Sequence, residues 1–255
     1  MNSRLHTKKK RNSNCQTVIG LMLAGVILIF WFAAHIVGIF HFEWEASHAI
    51  VSAPLLFLLM NWLNVGLFII AHDCMHGSLA PLWPWVNKAV GRLCLFLYIG
   101  FNFNELKTKH YLHHVYSGTA NDPDFYARSP HRFLYWYWHF LISYFGWAQF
   151  LFASIVSTIY LLVLNVQIYN LACFWAIPAI SSSLQLFFFG TYMPHRPKEI
   201  LFIDHHRTRS NDFSWLLSLF TCFHFGYHHE HHIFPEAPWW QLPSIRDNFK
   251  TEDYC

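Results

Sequence analysis

Two early stretches of the chain carry no Asp, Glu, Lys or Arg: residues 17–40 (TVIGLMLAGVILIFWFAAHIVGIF) and 49–71 (AIVSAPLLFLLMNWLNVGLFIIA). At 1.5 Å per residue, segments of that length extend about 35 Å, enough to cross a hydrocarbon core about 30 Å thick with some tilt. A third uncharged run covers 61 residues, Phe133 to Met193. It has room for two more spans, expected near 142–164 and 168–192, with a polar turn around Asn165 and Gln167. The aromatic segment FLYWYWHF (133–140) then falls at the membrane–water interface, where amphipathic rings concentrate. Residues 84–103 are apolar except for Lys88 and Arg92, which predicts an interfacial or partly inserted helix, and 213–223 is too short to span.

Charge placement orients these spans. All 17 Lys and Arg residues fall in 4–11, 88–132 or 196–250. With four spans, those stretches share one side of the membrane, and the other side receives only the 41–48 loop, with Glu43 and Glu45, and the Asn165 turn. By the positive-inside rule, both termini are expected in the cytoplasm. The basic start RLHTKKKR precedes a long span with no small-residue cleavage site after it, which reads as an anchor rather than a removable signal. The expected architecture is therefore an all-α polytopic membrane protein in one domain, 1–255. It has a basic tail (1–15), about four transmembrane helices, interfacial helices, and a histidine-rich cytoplasmic cap built from 72–132 and 193–255.

Composition agrees. Charged residues make up 12% of the chain, about half the share usual in soluble domains, and 55% is apolar, which excludes both an ordinary soluble globule and a disordered chain. Six cysteines without a CxxC pair indicate neither a disulfide framework nor a thiolate metal site. The net charge of +3 reflects the orienting bias and gives no sign of nucleic acid as a partner. What stands out is histidine: 19 residues, more than all Lys and Arg together.

Histidine concentrates at four places: His72 and His76 in HDCMH, His110, His113 and His114 in HYLHH, His195 in GTYMPHRP, and His224, His228, His229, His231 and His232 in HFGYHHEHH. HxxxH sets two imidazoles one helical turn apart on one face, and HxxHH sets three there. Neutral imidazole is a common ligand for iron, copper and zinc. Two residues from the first group, three from each HxxHH and His195 make nine, too many for one ion and suited to two adjacent ions with four or five nitrogens each. His224 is an alternative to His195, and His229 points off the HxxHH face. Asp73, Asp122, Asp124 and Glu230 lack ligand spacing and fit better as partners of imidazole N–H groups. His6, His35, His41, His48, His131, His139, His205 and His206 read as ordinary solvated or satisfied residues. A bis-histidine haem is disfavoured, because His35 is the one histidine well inside an expected span.

HDCMHG (72–77), HYLHHVYSGTANDPDF (110–125), FGTYMPHRP (189–197) and HFGYHHEHHIFPEAPWWQLP (224–243) closely resemble the CrtW-type β-carotene ketolases of the membrane fatty acid desaturase and hydroxylase superfamily. The resemblance runs from about Asn61 to Pro243. The first two histidine boxes occur across the superfamily, whereas the PHRP turn and the HHEHH…PWWxLP tail are more specific. It implies a non-haem di-iron centre, O2 as co-substrate, an external electron donor such as ferredoxin, and oxidation of the C4 methylene of a β-ionone ring to a ketone, giving echinenone and canthaxanthin. The ligands it implies are His72, His76, His110, His113, His114, His195, His228, His231 and His232. Asp122 and Asp124 match positions expected to hold ligands or substrate, and Trp239 and Trp240 serve either as interfacial anchors or in a pocket.

A lipophilic carotenoid partitions into the bilayer, while its reductant is soluble, so a metal cage at the cytoplasmic ends of the helices meets both. Lys107, Lys109, Arg128, Arg132, Arg207 and Arg209 would suit an acidic donor. The nearest rivals are a carotenoid ring hydroxylase and an acyl-lipid desaturase. A non-catalytic membrane metal-binding protein or transporter would place polar residues near mid-membrane, where these spans are expected to have none. A scaffold protein would bind no iron.

Overall fold

Thr17, Gly20, Ala24, Ile27, Trp31 and Ala34 recur at three- and four-residue intervals, so one stripe of the first helix is buried while Met22, Val26, Ile29 and Phe30 face outward. A bulky apolar outer face over a small-residue inner face suits a helix surrounded by lipid. The computed structural model describes residues 2–252, with side chains from 13 to 249, so the side chains of the basic segment 4–11 and of Lys250 lie outside the described residues.

Helix α1 (Asn2–Ile36) runs on through a π-turn at Val37–His41. It is followed by α2 (Ala49–His76), α3 (Pro84–Ile99), α4 (Phe103–Tyr116), α5 (Phe133–Tyr144), α6 (Trp147–Val163), α7 (Ile168–His195), α8 (Trp215–Cys222), α9 (His228–Ile233) and α10 (Leu242–Glu252). No strand occurs among the described residues. Among the described residues three segments are long and apolar enough to cross a membrane, Ser13–His41, α2 and α7, and the expected spans 17–40, 49–71 and 168–192 lie inside them.

The expected span 142–164 is different. Helices α5 and α6 form the fourth candidate, but they bend by 79° at Phe145 and Gly146. The break has a local cause: Gly146 adopts an extended conformation, and its N–H donates to Gln149 Oε1 at 3.0 Å, restarting the helix. Nor is 133–140 only an interfacial belt. Trp136 is fully buried and donates its indole N–H to the Asp124 carbonyl at 2.6 Å, while Leu134, Tyr135 and Trp138 face outward.

Helix α2 is the centre of the bundle, packed between α1, α3 and α7. Helix α3 descends antiparallel beside it, with Gly91 against Cys74 and Tyr98 against Phe68, and the Tyr98 hydroxyl meets Ser182 of α7 at 2.8 Å. Helix α3 occupies the segment expected as an interfacial or partly inserted helix, and α4 climbs back from its foot. Gly66 admits the Phe223 ring to the α2 backbone, since a Cβ there would lie 2.9 Å from Cζ.

Polar residues do occur inside the spans, contrary to the expectation, but they bond to one another. Trp31 donates to Asn64 at 2.8 Å; Ser181 donates to Asn61 and Asn61 to Gln185, each at 2.6 Å. In lipid, where apolar burial does not drive association, such bonds contribute about 0.6 kcal/mol each, up to about 2. They join helices.

Two further bonds fix which ends lie together. Gln16 Nε2 donates to the Ser78 and Glu236 carbonyls at 2.8 and 3.3 Å, gathering the start of α1, the end of α2 and the C-terminal segment. At the opposite end, Trp44 donates to Asn170 at 2.6 Å and His35 meets Tyr160 at 2.8 Å, beside the Asn165 turn. All the histidine groups emerge at the first of these ends.

Candidate metal centre

Each group of histidines is fixed by a helix end. Gly77, in the left-handed region at φ 74°, stops α2 directly after His76 and turns its N–H back to the Asp73 and Cys74 carbonyls. The Asn102 side chain caps α4 by accepting from the N–H groups of Asn104 and Glu105, which sets the phase that carries His110, His113 and His114 into the last two turns. His195 is the last residue of α7, its Nδ1–H donating to the Arg207 carbonyl at 3.0 Å. His228, His231 and His232 occupy the short helix α9.

The nine histidines fall into two sets. His72, His76, His110, His114 and His231 bring five ligand nitrogens within 4.8 Å of one another, and His113, His195, His228 and His232 bring four. The HxxHH spacing divides the same way twice. In α4 the i, i+4 pair (His110, His114) joins the five-nitrogen set and i+3 (His113) the other; in α9 the pair (His228, His232) joins the four-nitrogen set and i+3 (His231) the first. The sets abut, with the His114 and His232 rings stacked at 4.2 Å.

The donor geometry fits metal ions. Nε2 of His76 and His110 lie 2.7 Å apart, His114 and His231 3.0 Å, and His228 and His232 3.1 Å. Two nitrogens held at right angles on one first-row ion at about 2.1 Å each lie about 3 Å apart. Hydrogen bonds cannot account for the convergence, because a neutral imidazole has one lone pair and these nitrogens meet in groups of four and five. His72 and His195 turn buried Nε2 atoms inward that bond to no protein group. Burial, reinforced by neighbouring histidines, pushes His110, His228, His231 and His232 well below the usual histidine pKa, so they are neutral donors.

His113 goes the other way. Burial would depress it, but Asp122 and Asp124 carry it above its ordinary value. Its Nδ1–H donates to both Asp122 oxygens, at 3.0 and 3.1 Å, leaving Nε2 for the four-nitrogen set. Asp122 also accepts the N–H groups of Gly118 and Asp124, each at 2.8 Å, and although burial raises its pKa, His113 pulls it down further. Asp124 accepts the Tyr144 hydroxyl, and burial pushes it up to about 6.

Neither Asp124 nor the other two acidic residues bond an imidazole; Asp124 Oδ2 stands 3.8 Å from His113 Nδ1, beyond hydrogen-bond reach. Asp73 accepts the Trp239 N–H at 3.1 Å and stands 3.6 Å from His72, beyond hydrogen-bond reach. Glu230 binds Arg246 at 2.8 Å and the Ser210 hydroxyl. His224 lies outside both sets, packed among Trp215, Tyr227 and Trp239, and His229 pairs with Asp204 at 2.9 Å. Trp239 packs on Phe223 and ties the C-terminal segment to α2. His206 approaches His232 at 5.8 Å between ring centroids without joining a set. Among the basic residues, Lys109 donates to the Ser143 carbonyl, Arg207 to that of Gly118 and Arg209 to those of Arg196 and Ile200, so these side chains also brace the cap.

Beneath the histidines lies a largely apolar cavity, open at its mouth. His72, His110, His113 and His228 line its upper end, and Phe68, Tyr98, Phe140, Leu186 and Phe225 are among the apolar residues below. Asp124, Tyr144, Ser183 and Thr191 are its few polar groups. Tyr144 and Thr191 give no sequence signal, since each is one residue in a long aromatic or apolar run.

Comparison with known proteins agrees with this geometry. The fatty acid desaturase family model matches residues 46–157 and 143–254. A β-carotene ketolase of Paracoccus sp. strain N81106 is 46% identical over 236 residues, covering 92% of this chain and 95% of that protein. A second, from Paracoccus sp. strain PC1, is 44% identical over 239 residues, 93% and 96% of the two chains. A zeaxanthin 4-ketolase of Chlamydomonas reinhardtii is 32% identical over 237 residues, 89% of this chain and 53% of that protein. The chain is thus an enzyme of the fatty acid desaturase family and belongs with its CrtW-type ketolases.

Proposed function

We propose that the chain is a β-carotene 4-ketolase that uses O2 and two histidine-held iron ions to convert the C4 methylene of a β-ionone ring to a ketone. The observation that carries this reading is the union of two converging imidazole sets with the upper end of an apolar cavity. His72, His76, His110, His114 and His231 would hold one ion, and His113, His195, His228 and His232 the other. Once bound, redox-active ions supply the oxygen activation needed to remove an allylic hydrogen, which no side chain here provides and zinc lacks.

The chain's own residues do the rest. Phe68, Tyr98, Phe140, Leu186 and Phe225 bind the ring and exclude water, and the cavity's rise toward His72, His110, His113 and His228 presents the ring carbons to the histidine sets. Asp122 orients His113, and Arg207 and Ser117 orient His195. Electrons come from a soluble carrier such as ferredoxin. By the positive-inside rule the termini and the histidine cap face the cytoplasm, where that carrier is found.

The test is pigment analysis, by chromatography with mass spectrometry, of a bacterium that accumulates β-carotene and expresses this chain. Echinenone or canthaxanthin is the expected product. Alcohols alone would move the chain to the hydroxylases, and unchanged β-carotene with the protein inserted and iron-loaded would refute the carotenoid reading.

A further inference from the structure

A serine or threonine inside a helix commonly returns its hydroxyl to a carbonyl three or four residues earlier. Thr158 bonds Ser154 in this way, Ser181 bonds Ile177, Ser182 bonds Ala179, Ser183 bonds Ile180 and Thr221 bonds Leu217. Thr191 does not. It lies in the π-turn Phe187–Tyr192, one turn before His195, is 7% exposed, and lines the cavity. Its hydroxyl has no hydrogen-bond partner among the described residues. The other hydroxyls around the cavity are engaged, Tyr144 with Asp124, Ser183 with Tyr137 and Tyr98 with Ser182. Thr191 thus offers the cavity a hydroxyl that no protein group engages, and a π-turn is a frequent mark of a functional position.

We propose that Thr191 recognises the oxygen of a once-oxidised ring and thereby commits the chain to a ketone rather than an alcohol; this rests on the ketolase reading above. In the first oxygenation the methylene, O2, two electrons and two protons give the C4 alcohol and water. In the second, the alcohol, O2, two electrons and two protons give the geminal diol and water, and the diol then loses water to leave the ketone. The electrons come from a soluble one-electron carrier protein. A carotene ring has no polar atom, so the first substrate gives Thr191 nothing to bond. The alcohol does, and satisfying the Thr191 hydroxyl holds it in the cavity while the second electron pair arrives. One neutral hydrogen bond is worth about tenfold in retention.

The test compares the parent chain with Thr191→Val, which removes the hydroxyl at constant shape, and Thr191→Ser, which keeps it. Each is expressed in a β-carotene-accumulating bacterium, and its membranes are also supplied with a C4-hydroxylated carotene. In Thr191→Val the alcohol-to-ketone ratio and the KM for the supplied alcohol should each rise about tenfold, with Thr191→Ser near the parent. Parental values in Thr191→Val would overturn the proposal, as would equal changes in both variants, which would assign the effect to shape. If the parent forms no C4-oxygenated product, it is the ketolase reading that falls.

Discussion

Asp122→Asn tests whether the loop carboxylate, rather than the histidine alone, makes the four-nitrogen set. The Asp122 side chain is almost wholly buried and accepts from three donors, His113 Nδ1–H at 3.0 and 3.1 Å and the N–H groups of Gly118 and Asp124 at 2.8 Å. Asparagine keeps the shape but turns one acceptor into a donor, so at least one of these N–H groups must face an NH2 group. Leaving a buried donor unsatisfied costs about 1–3 kcal/mol. Loss of a carboxylate that orients a ligating imidazole typically weakens metal binding or activity about 10- to 100-fold. The expected outcome is an inserted, folded chain whose second iron is stripped by a chelator at about 10- to 100-fold lower concentration, while the first is retained. Iron per chain by mass spectrometry, with ketone formation measured in parallel, reads this directly. Asp73→Asn is the comparison, because Asp73 holds the Trp239 N–H and not an imidazole. Unchanged chelator resistance and activity in Asp122→Asn would refute the reasoning, as would an equal loss in Asp73→Asn.

Replacing His195 by Ala should remove one iron per chain, whereas His224→Ala should keep both; metal analysis that gives the reverse would exchange their roles. Acid should strip iron in two steps. The depressed His110, His228, His231 and His232 let protons compete only below the ordinary pKa of 6.5, whereas the raised His113 takes up a proton at higher pH, so the four-nitrogen set should empty first. A single loss at or above pH 6.5 in a titration of bound iron would contradict this. Gly66→Ala places a Cβ 2.9 Å from Phe223 and should destabilise by about 1–3 kcal/mol. Gly25→Ala, which meets nothing within 4 Å, should leave Tm in detergent unchanged or slightly higher; equal shifts in both would argue against the α2–Phe223 contact.

Spacing makes the histidines legible in the sequence, because helical periodicity is local and the i, i+3, i+4 pattern carries it. Three spans are legible as well: charged flanks bound the first two, and the polar turn at Asn165 and Gln167 and then Arg196 bound the third. The break at Gly146 is not, because charge is absent for the whole run from Phe133 to Met193 and apolar content says nothing about direction. Acidic partners are hard to read for a different reason. Glu230 sits inside HHEHH, yet the phase of α9 turns it to Arg246 and Ser210, while Asp122 reaches His113 from a loop whose course no periodicity predicts. Tyr144 and Thr191 reach the cavity only through a bend and a π-turn, features that leave no compositional trace.

The two HxxHH helices also explain why the two sets share one scaffold. An i, i+4 pair, about 40° apart around the helix, converges on one point, whereas the i+3 residue lies on the other side, about 60° from i and about 100° from i+4. One such helix therefore addresses two points. Helix α4 gives its pair to the five-nitrogen set and its third residue to the other, and α9 does the opposite. Neither set is complete without both helices, which are separated by more than a hundred residues of chain. Removing α9 would take three imidazoles from a total of nine, one from the first set and two from the second. Occupying one set consequently fixes the helix that presents ligands to the other. The Asn102 cap, the Asp122 clasp on His113 and the Arg246–Glu230 bond are then devices for holding two helix phases in register. With the phases so held, two neighbouring ions would share one scaffold.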